Sequence, residues 1–334
     1  MVNVFLTIDT ECSMAGALDD DQKRPVDPEK AILGRIGNEY YGTPLIMTIL
    51  ERRGLRGTFF VEVLASRVVD RQKLADAYGA IVARGHDVQL HLHPVYYYYD
   101  LLRQKLIRRE EIPAQPDLIG TLPDSVQLDL LQEGVQSLRA LTGVSPVAFR
   151  AGSFGASRRT LSCLVRVGIE YDTSFNSIAL GKTCFLDSRP PTNLAWREAG
   201  VWEVPLTNFE GGVGRFRGLK PLNVASVSYA EMERVLESAE QCGLQNVVFI
   251  LHSFAFLKRK DVQFRHMRPD RVVVKRFEAL CEFLSANFRR FQVMTFGSRP
   301  QLQNSSAENR LPNLGWYLPA VRKMSQAVNR IYWT

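Results

Sequence analysis

Short apolar runs recur along the chain, each followed by polar or glycine punctuation and then by a stretch with apolar residues three and four positions apart. The first run, Val4-Phe5-Leu6-Thr7-Ile8, ends in Asp9-Thr10-Glu11, the pattern of a buried parallel strand whose carboxyl end opens onto a site. Further strands are predicted over 57–63, 86–94, 147–150, 169–172, 201–205, 246–252 and 291–296. Helices are predicted over 45–53, 71–84, 124–141, 157–167, 228–241 and 270–286, and Gly54, Gly85, Gly143, Gly168 and Gly243 stop five of them. The intervals are less regular. Residues 12–42 form a long polar loop with Asp19-Asp20-Asp21, and 100–124 a proline-interrupted segment with a short helix. Residues 176–200 are irregular, with Pro190-Pro191 and a hairpin, and Gly211, Gly212 and Gly214 lie in the loop after 201–205. Strands alternating with helices indicate an α/β fold, and a closed or nearly closed (β/α) barrel of seven or eight strands over residues 1–300 suits the pattern better than two sheets. Residues 301–334 form a tail in which Val321, Met324, Val328 and Ile331 fall at helical spacing among Arg322, Lys323 and Arg330. This predicts an amphipathic helix that docks on the body or makes a peripheral membrane contact.

Barrels of this kind carry their chemistry at the carboxyl ends of the strands. Here those ends hold Asp9 and Glu11, His91 and His93, Arg150, and His252. Alternation puts Asp9 and Glu11 on one side of their strand, and His91 and His93 on one side of theirs. Two histidines and Asp9 make a two-imidazole, one-carboxylate metal set with positions left open. Each signal has a plainer reading: an acid after a strand also caps helices, and one histidine of an H-x-H pair is often a satisfied core residue. Their coincidence at several strand ends favours a site. His86, at the opposite end of its strand, is assigned a structural hydrogen bond, and His266, in the basic stretch 265–268, a solvated position.

The bulk numbers narrow the class. With 334 residues and 46% apolar content the chain can bury a large core, and a net charge of +7 without a dense Lys/Arg tract does not indicate nucleic acid as a partner. The basic excess also suits an anionic substrate or membrane surface. Five scattered cysteines without a CxxC pair suit a reducing compartment and do not suggest a thiolate zinc site. No apolar stretch approaches the roughly 20 residues of a membrane span, and none near the start resembles a signal peptide, so a cytoplasmic location is expected.

Seven segments in order, Thr7-Ile8-Asp9-Thr10-Glu11, G-T-F-F-V from Gly57, G-H-D-V-Q-L-H-L-H-P from Gly85, F-R-A-G-S-F-G from Phe149, Y-D-T-S from Tyr171, W-E-V-P from Trp202 and F-I-L-H-S from Phe249, resemble the polysaccharide deacetylases of the NodB-homology type, carbohydrate esterase family four. The likeness spans about residues 3 to 298. It implies a distorted (β/α) barrel that removes N- or O-acetyl groups from sugars with a divalent metal, usually zinc, held by one Asp and two His. Carried over, Asp9 matches the first-motif acid, His91 the first histidine ligand, Arg150 the arginine that orients the catalytic carboxylate, and His252 the general acid. This chain departs in three places. The usual paired aspartates become Asp9-Thr10 with Glu11 one further on, Val95 stands where the second histidine is usual so that His93 substitutes, and Ala151-Gly152-Ser153 replaces Pro-Tyr after the arginine. A branch with a D-x-E first motif and an H-x-H second motif fits, with Asp9 favoured on the metal and Glu11 as base or second ligand.

The expected reaction is metal-assisted hydrolysis. The metal activates its bound water and polarises the acyl oxygen, Glu11 or Asp9 takes the proton, and His252 protonates the leaving group, as histidine's titration range permits. Backbone N–H groups at Gly152, Ser153 and Phe154 are candidates for the oxyanion, and Tyr96, Ser153, Phe154, Trp202 and Glu203 for the carbohydrate, with Tyr96–Tyr99 standing out as a run hard to bury. Two rivals remain: the same barrel acting on a non-sugar amide or a glycosidic bond, and a carbohydrate-binding protein without catalysis. Nothing in the sequence bears on the oligomeric state.

Overall fold

The computed structural model describes residues 1–186, 192–211 and 218–303. The tail with its expected amphipathic helix, the Pro190-Pro191 pair, and Gly212 and Gly214 lie outside the described residues. Nine strands form the main sheet: β1 (Val2–Thr10), β2 (Thr58–Glu62), β3 (Asp87–Leu92), β4 (Ala148–Ala151), β5 (Tyr171–Asp172), β6 (Trp196–Glu198), β7 (Val201–Glu203), β8 (Asn246–His252) and β9 (Phe291–Met294). Their order is β8-β1-β2-β3-β4-β5-β7-β6, and β9 pairs with the first half of β1. Every pairing is parallel except that of β6 with β7. The sheet curls back on itself. Beyond β7 the chain returns to the free edge of β8, where Thr207 N–H donates to Val248 O and Val224 N–H to Ile250 O. This is the distorted (β/α) barrel expected from the alternation.

Among the described residues seven helices longer than a single turn connect the strands: α1 (Thr43–Glu51), α2 (Arg71–Ala83), α3 (Val95–Arg103), α4 (Asp124–Thr142), α5 (Arg158–Arg166), α6 (Tyr229–Gln241) and α7 (Arg271–Ala286). Local chemistry sets their ends. Asp70 caps α2 by accepting from Gln72 N–H and Lys73 N–H, Ser157 and Ser228 open α5 and α6 with capping boxes, and Gly143 closes α4 at φ +74°. No described helix is long and apolar enough to cross a membrane.

The alternation along each strand divides two apolar layers. Val4, Leu6 and Ile8 of β1, with Phe59 and Val61 of β2 and Val88, Leu90 and Leu92 of β3, pack outward in the larger core beneath the helices. Phe5, Phe60, Ala148, Tyr171, Val248, Ile250 and Phe296 plug the interior from below. Burial on this scale is the main stabilising term of the fold. Above the plug, the same inward positions become polar, passing through Thr7 and Asp9 toward Glu11.

Two stretches gain detail. The Tyr96–Tyr99 run, expected to be hard to bury completely, is helical within α3, with Tyr96, Tyr98 and Tyr99 buried and Tyr97 partly buried. The 12–42 loop is ordered around a single helical turn (Pro28–Ala31) and a small hairpin (Arg35–Ile36 with Glu39–Tyr40). It packs Ala15, Val26 and Ala31 against Leu257 and Phe264 of a second hairpin, Leu257–Arg259 with Met267–Pro269.

Candidate metal centre at the barrel mouth

Strand register brings the reactive side chains together. Asp9 lies opposite His252 across the β1–β8 pairing, and His91 lies beside Glu62 on one side and Arg150 on the other. Glu11 and His93 each sit just past the end of their strands, and the β1–β2–β3 register carries Glu11 to the height of Glu62 and His91. Two residues of strand rise about 6.7 Å, so Asp9 lies one level below Glu11 and His91.

Arg150 fills the lower level. It is fully buried, its guanidinium lies 4.6 Å from the Phe60 ring centroid, and it donates to Asp9 Oδ1 at 2.6 Å and Thr7 Oγ1 at 2.9 Å. Thr173 accepts from it through both its carbonyl and its hydroxyl, each at 3.3 Å. A buried charge needs this density of partners.

The upper level holds Glu11, His91 and His93. Their ligand atoms all lie within 4.8 Å of one another. Glu11 Oε2 is 2.5 Å from His93 Nε2 and 3.4 Å from His91 Nε2, and the two Nε2 atoms are 3.1 Å apart. Each imidazole is fixed from behind: His91 Nδ1 donates to Arg150 O at 2.7 Å, and His93 Nδ1 donates to Asp117 at 2.8 Å. With both Nδ1 atoms serving as donors, both Nε2 atoms point to one place, which is the arrangement by which partners behind a histidine orient it on a metal. Two nitrogens and a carboxylate oxygen suit a divalent ion of the zinc type, and tetrahedral ligands of such an ion lie roughly 3.3 Å apart. The residues fit the group.

The electrostatics agree. Burial works against ionisation of Glu11, but the charge on His93, hydrogen bonds from His91 and His93, and the charge on His252 together hold its carboxyl well below the usual range. Burial likewise opposes a charged His93, yet Asp117 and Glu11 on its two sides raise it well above an ordinary histidine. Two carboxylates thus converge on one imidazole and call for positive charge. Beneath them, burial pushes Glu62 up to about 7 against the pull of His93 and of the N–H groups it caps at Ala65 and His93. Glu62 also accepts from Leu64 N–H, so it shapes the turn after β2.

The cluster that could hold a metal is therefore Glu11, His91 and His93, where Asp9, His91 and His93 were expected. Glu11 takes the place among the histidines, and Asp9 sits one level down on Arg150. His252, a third exposed, has Nε2 3.8 Å from Glu11 Oε1 and its ring 5.1 Å from that of Phe254. Ser153 and Phe154 adopt left-handed backbone at φ +53° and +59°, and Ser153 Oγ donates to Asp117 at 2.8 Å. Phe154 and Trp202 are half-buried against the interior apolar plug.

Two substrate candidates are corrected. Tyr96 is buried and donates its hydroxyl to Cys12 O at 2.6 Å, so its ring is not available for stacking on a sugar. Glu203 is fully buried, accepts from Phe175 N–H at 2.9 Å and shares a hydrogen bond with Asp172, so it does not line the site. His86 accepts from Gly57 N–H at 3.2 Å, the structural role expected, and His266 is exposed. Asp117 escaped the sequence reading. It lies in the 100–124 segment between Pro113 and Pro116 and the turn at Ile119–Thr121, where no periodicity marks it.

No family model matches the chain, and no curated protein matches its sequence. Solved structures do. A candidate polysaccharide deacetylase from Mycobacterium smegmatis superposes with a TM-score of 0.50 at 18% identity, covering 93% of this chain and 95% of that one. A family 4 carbohydrate esterase from Streptomyces lividans, solved in complex with acetate, gives a TM-score of 0.44 at 10% identity over 93% and 98% of the two chains. The 4-alpha-glucanotransferase of Thermococcus litoralis gives 0.48 at 13% identity, over 95% of this chain and 42% of that one. The chain thus has the polysaccharide-deacetylase fold, the distorted (β/α) barrel of the NodB type.

Proposed function

We propose that the protein is a metal-dependent hydrolase that removes an N- or O-acetyl group from a carbohydrate. The observation that carries this is the convergence of His91 Nε2, His93 Nε2 and the Glu11 carboxylate at the carboxyl end of the barrel strands. Glu11, His91 and His93 would hold a divalent ion, zinc first among the candidates, which would supply a Lewis acid for the acyl oxygen and acidify a water.

The remaining steps belong to the protein's own groups. Arg150 fixes Asp9 by its Oδ1, and Asp9 takes the proton of the attacking water through the other carboxylate oxygen. His252, opposite Asp9 in register and packed against Phe254, donates a proton to the leaving amine or alkoxide. Asp117 keeps the His93 ring in the one tautomer that leaves Nε2 free to ligate.

The test is elemental analysis of the purified protein alongside acetate release from acetylated sugars. One equivalent of a divalent ion in the wild type, absent from the His91→Ala/His93→Ala double variant, together with acetate release that needs the ion, is expected. A wild-type protein that stays empty after incubation with zinc overturns the reading in favour of a binding protein. Released sugar or ammonia without acetate moves the chemistry to a glycosidic bond or a non-sugar amide.

A further inference from the structure

One cation at the mouth makes no ion pair with any carboxylate among the described residues. Arg259, on the Leu257–Arg259 strand of the second hairpin, places its guanidinium 4.6 Å from the Phe254 ring centroid and 4.4 Å from that of Phe264. The two rings pack edge to face at 5.8 Å, so the guanidinium is held by aromatic faces. Among the described residues no carboxylate lies within ion-pairing distance of it. Asp261, the hairpin's own acid, is occupied elsewhere: it accepts from the N–H groups of Gln263, Arg265 and His266 and faces the His266 ring at 3.4 Å.

Arg259 is tied to the candidate site. Phe254 is in contact with both Arg259 and His252, so the guanidinium stands one ring away from the proposed acid. The acidic charge that acts on it is that of Glu11, which the two histidines already engage. Charge around it is lopsided: residues 257–269 hold Lys258, Arg259, Lys260, Arg265 and Arg268 against Asp261, an excess of +4 within a chain whose net charge is +7. An arginine fork with open donors matches the paired oxygens of a phosphate or carboxylate, and a field of several positive charges suits a group with more than one negative charge.

We infer that Arg259 and its hairpin bind the phosphate of a phosphorylated, acetylated sugar whose acetyl group lies at the Glu11, His91 and His93 cluster. The inference rests on the deacetylase reading and names its substrate class. It sets the hairpin as the part of the mouth that selects an anionic over a neutral sugar, with Phe254 spacing the two ends of the substrate.

Calorimetric titration with N-acetylglucosamine 1-phosphate and with N-acetylglucosamine tests it independently of turnover. The phosphorylated sugar is expected to bind more tightly by roughly tenfold to a hundredfold, as a charge-assisted pair allows, and the advantage shrinks as salt screens it. Arg259→Ala collapses the ratio of the two affinities toward one, and Arg259→Lys, which keeps the charge and loses the fork, restores part of it. Arg259 lies on an exposed part of the hairpin, and thermal melts of both variants separate a lost anion site from a lost fold. A second arm, sedimentation with vesicles of phosphatidylcholine with and without phosphatidylglycerol, tells a free sugar phosphate from one carried on a lipid. Preference seen only on the anionic vesicles, and lost in Arg259→Ala, assigns a lipid source. No preference in either arm, or a preference that survives Arg259→Ala, overturns the inference. Selective binding without acetate release refutes the deacetylase reading and leaves the anion site standing.

Discussion

Asp117 accepts from Nδ1 of His93 at 2.8 Å while Nε2 of the same ring meets Glu11 at 2.5 Å, so the ring is clamped between two carboxylates. The clamp fixes which nitrogen is free for a ligand. Asp117→Asn weakens the acceptor and permits the other tautomer, and loss of such a partner typically lowers metal affinity by about 10- to 100-fold. Chelator competition with zinc should record a drop of that size with the fold intact, because the Asp117 side chain is partly exposed. Unchanged affinity would mean that His93 is oriented by packing alone.

Asp9 and Glu11 separate by variant. Glu11→Gln is expected to lose the bound ion, whereas Asp9→Asn keeps the ion and an acceptor for Arg150 and loses about 10²- to 10⁴-fold in turnover, the range of a general base. Asp9→Ala behaves differently. It leaves the buried Arg150 charge without its carboxylate, which costs about 3–5 kcal/mol and is visible in urea melts. Metal loss in Asp9→Asn with retention in Glu11→Gln would reverse the two assignments.

Most of the barrel was legible in the sequence because its strands carry uninterrupted apolar runs and its helices end at glycine. β8 over Asn246–His252 matches the expected 246–252, and α4 over Asp124–Thr142 is one residue longer than its pattern. The inward set Phe5, Thr7, Asp9 and Glu11 also follows from alternation. Which of the two meets the histidines does not: Asp9 and Glu11 share a face, and the β1–β2–β3 register sets Glu11 level with His91 while Asp9, two residues lower, meets Arg150. The tyrosine run owes its helix to a related effect. Aromatic residues are middling helix formers, and burial of Tyr96, Tyr98 and Tyr99 in α3 outweighs that preference. Asp117 comes from a loop, where contacts are set by tertiary structure and no spacing announces them.

Gly152 lies against the same histidine. A Cβ built there would come within 2.5 Å of His93 Nδ1 and 2.7 Å of its Cγ, so Gly152→Ala must push the ring from its place between Glu11 and Asp117. Overpacking of this kind costs about 1–3 kcal/mol, and zinc affinity should fall with it. Gly79, in the interior of α2 with nothing within 4 Å of its would-be Cβ, is the control: Gly79→Ala is expected to stabilise by roughly 0.5–1 kcal/mol. Gly152→Ala that binds zinc like wild type would show that the turn can retreat without cost.

The buried pair Asp172 and Glu203 should govern part of the protein's pH dependence. The residues are partners across β5 and β7, both carboxyls are fully buried, and Asp172 Oδ2 and Glu203 Oε2 have no partner apart from each other. Two such oxygens are satisfied only if a proton lies between them. Burial and the Asp172 charge raise Glu203 well above an ordinary glutamate; burial raises Asp172 too, but Glu203, Ser174 and Arg150 all favour its anion. Glu203 therefore keeps the proton. With its folded titration above the unfolded value of about 4.3, the folded state binds more protons than the unfolded one as pH climbs past that value. The stability tied to this proton is complete below about pH 4.3 and is lost as pH rises toward the folded titration, at a slope of at most roughly 1.4 kcal/mol per pH unit. Glu203→Gln removes that slope, because the amide keeps the acceptor for Phe175 N–H and donates permanently to Asp172. Urea melts across the range should therefore show the variant gaining on the wild type as pH rises. A constant difference between the two curves would show that the pair carries no shared proton.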